Sequence, residues 1–382
     1  MKRLRSLSMS DLPWDLIEEI LSKVPAIFLK RLRSTCKQWN MLFSDQVFTR
    51  THFDIAAKQY LVLMLIDFKV YFLSVNLRGL HDNIDPSIEL KGEVSLTNHH
   101  YHSNQFEISE VFDHCNGLLL CSLCTNMSTR LVVWNPCTGQ TKWIQTKCVD
   151  NRYEESYALG YENNKSCHNY KILRFLEFYD TSESELEIYE FSSNSWRVLD
   201  SLTPDFAIQL QGVSLKGKTY WVAADKGNQF LGNKFLISFD FTTETFGPHM
   251  CLPHGDFYAL SLVREERHSV LSQDEEASTI ASTIEIWISN NITESKAISW
   301  SRFLKVKLNT HQFWNRDISF FIDEENKVAV CFEEIFQEES DNNNNIVYII
   351  GEDIFREVNL GDSDAERWSS RMFSYIPSLV QI

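Results

Sequence analysis

Few residues in this chain have types and spacings that could do chemistry. Cys121-Ser-Leu-Cys124 is a CxxC, the spacing that grips zinc or exchanges electrons, but no second CxxC or spaced histidine pair completes four ligands. It follows Leu118-Leu-Leu120, so it reads as part of a buried strand. His99-His-Tyr-His102 crowds imidazoles together within a polar stretch and reads as an exposed loop. Acidic pairs at Glu333-Glu334 and Glu338-Glu339, and the run Asp274-Glu-Glu276, could supply an acid and a base, yet nothing in the sequence brings them together. There is no GxSxG, no HExxH and no phosphate-cradling glycine loop, and only 13 glycines in all. Ten tryptophans, among them Trp134, Trp143, Trp196, Trp221 and Trp287, could be sugar platforms; their recurrence at similar places in a repeat favours packing. The sequence predicts no cofactor and no metal.

The elements that would hold such residues fall into two unlike parts. Residues 1–50 carry nine Lys/Arg against five Asp/Glu, a net of +4, which leaves −20 on residues 51–382. In the first part Leu12, Leu16, Ile20, Leu21 and Val24 recur at helical spacing, with Ser10 and Asp11 as candidate caps, Pro13 in the first turn and Pro25 as a stop. A second periodic stretch runs Leu29, Leu32, Arg33, Cys36, Trp39, Leu42 and Phe43. Two or three short helices are predicted, too small to bury much surface alone, so the head must lean on a partner or on the body.

From about Tyr60 the period becomes two, as in Phe235, Ile237, Phe239 and Phe241, and again in Ile284, Ile286 and Ile288. Hairpin pairs begin at 117, 157, 212, 260 and 318, intervals near those of propeller blades, and strands in 59–112 supply a sixth unit. The expected fold is therefore mainly β with a small helical head, the body a β-propeller of about six blades; the alternative is a multi-sheet β sandwich. Tyr375–Ile382 is a candidate ring-closing strand.

Composition narrows the function. A net charge of −16 with pI about 5.2 argues against nucleic acid as the main partner. The longest apolar run, Leu61 to Ile66, is far short of a membrane span. Nine scattered cysteines and the lack of a signal-peptide pattern lead us to expect an intracellular protein, in cytoplasm or nucleus, whose sequons at Asn126, Asn164 and Asn291 are chance matches.

Leu12-Pro13-Trp-Asp-Leu-Ile-Glu-Glu-Ile-Leu21, then Val24-Pro25, then Leu29-Lys-Arg-Leu-Arg-Ser-Thr-Cys-Lys-Gln-Trp39, resembles an F-box over roughly residues 10–50. The body resembles the F-box-associated interaction domain of the large plant F-box family, through Asn116-Gly-Leu-Leu-Leu120, Val132-Val-Trp-Asn-Pro-Cys-Thr-Gly139, Tyr157-Ala-Leu-Gly-Tyr161, Tyr189 to Trp196 and Phe239-Asp-Phe241. It lacks the paired glycines of kelch propellers: Ala223-Ala224 stand in their place.

The resemblance implies a division into an F-box at 1–50 and a propeller-like interaction domain at 51–382. It implies a non-catalytic substrate receptor of an SCF-type ubiquitin ligase. Leu12, Pro13, Leu16, Ile20, Leu21, Val24, Pro25, Leu29, Leu32, Arg33, Cys36 and Trp39 would dock on a Skp-type adaptor, which bridges to a cullin scaffold while the body holds a protein target. The other readings are a propeller enzyme with a channel site and an F-box scaffold working outside any ligase. Long polar loops at Glu162 to Asn169, Asp225 to Asn233, Gln273 to Ser278 and Glu338 to Asn345 are the candidates for target contact. Because the CxxC stands alone, purified protein is expected to hold no stoichiometric zinc. Elemental analysis finding one zinc per chain, lost on changing Cys121 and Cys124, would overturn that.

Overall fold

The computed structural model describes residues 12–77, 80, 85–96, 106–123, 130–146, 153–163, 168–178, 184–200, 202, 204–208, 211–226, 233–275, 282–290, 298–308, 318–335, 343–363 and 370–382. Four short helices, α1 (Trp14–Ser22), α2 (Ala26–Leu32), α3 (Lys37–Leu42) and α4 (Gln46–Ile55), precede six antiparallel sheets arranged as the blades of a propeller. No helix among the described residues is long and apolar enough to cross a membrane.

The helix starts follow from backbone chemistry. Pro13 and Pro25 occupy the N-cap positions of α1 and α2 in extended conformation, and neither supplies a capping hydrogen bond. The expected capping by Ser10 and Asp11 lies outside the described residues. The second periodic stretch splits in two because Cys36 takes an extended conformation ahead of α3. Helix α4, which the sequence reading missed, begins at Asp45, whose carboxylate accepts the Phe48 N–H at 2.9 Å. It spans the expected boundary at residue 50.

Blade 1 pairs Leu61–Ile66, Lys69–Asn76 and Ser87–Val94, with Arg371–Tyr375 added as its inner strand. Blade 2 is Ile108–Cys115, Leu118–Leu123, Arg130–Trp134 and Thr141–Gln145, and blade 3 is Tyr153–Asn163, His168–Phe178, Ser184–Glu190 and Ser195–Val198. Blade 4 centres on Lys218–Asp225 and Lys234–Asp240; Phe206–Ile208 and Val213–Leu215 both pair with the former. Blades 5 and 6 run from Phe257 to Leu308 and from Ser319 to Ser363.

Two boundaries shift from the sequence reading. Ile108–Cys115, placed there in the first unit, is the inner strand of blade 2; two register shifts and its polar side chains blur its alternation. The ring closes through Arg371–Tyr375, paired with Leu61–Leu65, and not through the last residues: Pro377, with no N–H to give a ladder, lies beyond the last paired residue, Tyr375.

Middle strands such as Leu118–Leu123 are buried along their whole length, since each blade is sandwiched between two others. The family-like motifs sit at the tightest contacts. A Cβ on Gly160 would fall 2.1 Å from the Phe241 ring, so the Leu-Gly-Tyr and Phe-Asp-Phe segments of neighbouring blades fit only with glycine there. Tryptophans clip blade to blade: Trp196 Nε1 donates to Gln145 O at 2.9 Å, and Trp300 Nε1 to Cys251 O at 2.8 Å. Trp134 and Trp221 are buried, in keeping with a packing role.

Asp113 ties three blades together. Its Oδ2 accepts the Leu159 N–H of blade 3 at 2.9 Å and the Ser214 hydroxyl of blade 4 at 2.6 Å, while Oδ1 accepts the His114 N–H at 2.7 Å. Burial pushes this carboxyl up to about 7 even against those donors. Asp113→Ala would leave these donors unmatched and is expected to cost about 3 kcal/mol, seen as a lowered thermal midpoint. Because the folded state holds the proton more tightly than the unfolded chain, the contribution of Asp113 falls as pH rises from about 4 to about 7. Midpoints across that range should show this decline in the wild type relative to Asp113→Asn; parallel curves would contradict it.

Candidate functional site

The four helices form a small bundle with two apolar faces. In α1, Leu16 and Ile20 are four apart, and so are Ile17 and Leu21 one position further on, so the two pairs lie on adjacent stripes. The structure assigns the stripes to different environments. Ile17 and Leu21 are buried with Ala26 and Leu29 of α2, Leu42, Phe43 and Phe48. Trp14, Leu16 and Ile20, with Phe28 of α2, remain 40 to 46 % exposed. Leu16 and Ile20, one turn apart, form an exposed apolar stripe suited to a partner; Trp14 lies round the helix from them, and Met41, Val47 and Ile55 of α3 and α4 are exposed as well.

The predicted docking residues therefore separate. Leu16 and Ile20 are on the open side and Pro13 is exposed; Leu12, Val24, Leu32 and Trp39 are half-buried against the bundle core, and Pro25 and Cys36 are half-buried. Leu21 and Leu29, 1 % and 0 % exposed, are core that supports the patch from beneath. Arg33 braces the bundle: its Nε donates to Asn40 Oδ1 at 2.9 Å and its Nη2 to Ser44 Oγ at 2.6 Å. His52 Nε2 donates to Val24 O at 2.6 Å, joining α4 to the Val-Pro break, and burial holds its pKa below the usual range. Trp14 and Phe28 are exposed as well, although helical periodicity did not single them out.

The buried side of the bundle rests on the body. Cys137 of blade 2 and Leu379 of the C-terminal segment share its core, and Lys30 Nζ reaches Pro136 O at 3.5 Å. Burial pushes the Cys137 thiol up to about 11.

Comparison with known proteins agrees with both halves. Residues 9–51 match the F-box domain and residues 61–382 match the F-box associated beta propeller domain. The chain belongs to the family of F-box proteins with an F-box-associated β-propeller. Its relatives include an F-box protein of Arabidopsis thaliana at 54 % identity and an F-box/kelch-repeat protein of the same plant at 53 %, each aligned over 100 % of both chains. Solved structures give weaker likenesses. TolB from Acinetobacter baumannii is 11 % identical with a TM-score of 0.42, covering 83 % of this chain and 66 % of that one. The propeller domain of the Trilobed protease from Pyrococcus furiosus is 10 % identical with a TM-score of 0.35, covering 72 % and 98 %. Similarity of that size carries nothing about function.

The F-box sits at one end of the propeller. Turns between first and second strands, such as Asn116-Gly117, and between third and fourth, such as 135–140, meet it or the C-terminal segment beside it. Strand direction then sends the connections between second and third strands to the opposite end. Asp225 to Asn233, Gln273 to Ser278 and Glu338 to Asn345 join strands there, whereas Glu162 to Asn169 joins a first to a second strand at the F-box end. The central residues of all four lie outside the described residues, as do His99 to His102, Glu338 and Glu339, and the three sequon asparagines.

Among the described residues the remaining candidates for chemistry are not assembled. Cys121 is buried with its thiol raised well above the ordinary range, and Cys124 is outside the described residues. Among the described residues no group of His, Cys, Asp and Glu could hold a metal ion. Near the axis, Asp113 is saturated by its cross-blade bonds, and His114, lowered to about 4 by burial, stacks on Phe373 at 5.7 Å. A surface groove of about 640 Å³ on blade 5 contains Arg267 and Arg302, but these pair with Glu324 at 2.6 Å and Glu285 at 3.6 Å.

The two stripes make a separable prediction about the F-box itself. Leu21→Asp or Leu29→Asp places a charge in its core and should abolish helical protection against hydrogen exchange over residues 14–55. Leu16→Asp and Ile20→Asp should leave that protection within experimental error of the wild type. Equal damage from both pairs would show that the stripes are not distinct.

Proposed function

We propose that this chain is the substrate-recognition subunit of an SCF-type ubiquitin ligase, acting as a bridge with no chemistry of its own. The observation that carries this reading is the exposed stripe of Leu16 and Ile20 on an F-box whose neighbouring stripe, Ile17 and Leu21, is already buried. Each such side chain gains roughly 1.5 to 3 kcal/mol when fully removed from water, so a matching apolar groove on a Skp-type adaptor would be bound firmly. The adaptor in turn bridges to a cullin scaffold, and a separate conjugating enzyme carries out ubiquitin transfer. Such a protein works inside the cell, in cytoplasm or nucleus.

The target belongs on the propeller. A receptor must hold adaptor and target at once, and the end away from the F-box is where connections between second and third strands converge. The −20 on residues 51–382 steers basic segments toward this body, and binding should weaken as salt rises. An F-box scaffold acting outside a ligase would use the same adaptor surface and differs in what it recruits.

Co-purification tests the reading. Leu16→Asp and Ile20→Asp should each weaken adaptor capture about 30-fold or more while target capture by the full chain persists. Shortening 226–232 or 338–344 should do the reverse. Adaptor capture unchanged by both F-box substitutions would overturn the docking assignment. Target capture lost with the F-box substitutions and untouched by every loop change would overturn the placement of the target. Adaptor capture without cullin in the same complex would favour the scaffold.

A further inference from the structure

Beyond Tyr375 the chain leaves the sheet, and residues 376–382 run between blade 2 and the F-box. The buried Asn135 holds this segment with one end of its amide and its own turn with the other. Its Nδ2 donates to Ser378 O at 3.2 Å and Val380 O at 3.0 Å, while its Oδ1 accepts the N–H groups of Cys137 at 2.9 Å and Thr138 at 3.1 Å. The same side chain thus shapes the third-to-fourth-strand turn of blade 2 and grips the segment. On the neighbouring turn, the Ser378 hydroxyl donates to Asn116 O at 2.6 Å. Gly117, at φ +75°, has Ile376 O and Ser378 Oγ each 2.6 Å from where a Cβ would stand, so no other residue lets the segment so close. On its far side the segment meets the F-box. Leu379, 1 % exposed, joins the bundle core, and Gln381 Nε2 donates to Phe43 O at 3.3 Å.

We propose that residues 376–382 are a strap that locks the F-box to the propeller, separate from ring closure, which Arg371–Tyr375 completes. Covalently, the F-box is joined to blade 1 through residues 56–60, and a linker of that length would by itself leave the F-box free to swing. Most of what the body presents to the F-box core comes through the strap and the turn that Asn135 shapes. With the strap seated, the exposed face bearing Leu16 and Ile20 is held in one orientation relative to the far end of the propeller. With it released, the F-box keeps its own fold and its apolar patch but loses that orientation. The two motif asparagines, at 116 and 135, then serve inter-domain geometry as well as the turns they occupy.

Asn135→Asp discriminates sharply, because the carboxylate keeps the acceptor that Cys137 and Thr138 use and replaces the donor facing two carbonyls with an oxygen. A full-length chain carrying it, and a second variant ending at Tyr375, would be compared with wild type by hydrogen exchange and limited proteolysis without any adaptor. In both, cleavage within residues 56–60 should accelerate about tenfold or more, and exchange should rise at Phe43 and Phe48, while Leu61–Ile66 and Leu118–Leu123 keep wild-type protection. Linker cleavage at the wild-type rate in both variants would overturn the strap. So would loss of protection in Leu61–Ile66 along with the linker, since the segment would then be part of ring closure.

Discussion

Everything in this molecule hangs on the antiparallel pairing of Arg371–Tyr375 with Leu61–Leu65. It joins the two ends of the body into one sheet and so turns a row of blades, each with two hydrophobic faces, into a closed ring in which every face is covered. It also decides where the ends emerge. The linker from the helical head enters blade 1 beside the point where the C-terminal segment leaves it. The linker is held on blade 5, where Tyr60 OH donates to Arg264 O at 3.4 Å, and the C-terminal segment reaches the head itself, where Gln381 donates to Phe43 O.

Closure makes further demands that are met by polar groups placed between blades. Asp113 is buried because the inner strands of three blades converge on it, and it remains tolerable because every blade supplies a donor. Lys171 in blade 3 follows the same logic, its ammonium paired with Glu244 of blade 4 at 2.7 Å. Such groups give each blade a fixed partner and register, which apolar packing alone does loosely.

The division into a basic helical head and an acidic β body was legible from charge and period, because burying one helix face and two sheet faces imposes different spacings. The blade count was legible because hairpins recur at nearly regular intervals. The register was less so: the inner strand of blade 2 carries Glu110, Asp113 and His114 and two bulges, and neither alternation nor composition marks it as the partner of Leu118–Leu123. Helix α4 hid for a different reason: its buried residues are Phe48, Thr49 and His52, two of them polar, while the apolar Val47 and Ile55 face solvent. In the head, periodicity found the apolar positions but could not say which stripe of α1 faced inward, since Leu16 and Leu21 look alike to it. That choice is made by the other helices, whose Leu29, Leu42, Phe43 and Phe48 cover Ile17 and Leu21. Asn135 and Gly117 stood out as motif residues, yet the partner that explains them, the backbone of residues 376–380, is invisible until the ring is closed.

We propose a head whose outer apolar stripe takes an adaptor while its inner face is held by the propeller. The most direct measurement is the structure of the full chain reconstituted with a Skp-type adaptor. The proposal predicts the adaptor seated on Leu16 and Ile20, with Asn135 still bonded to the backbone at Ser378 and Val380. An adaptor seated elsewhere, or one that binds only after the head has left the propeller, would contradict it.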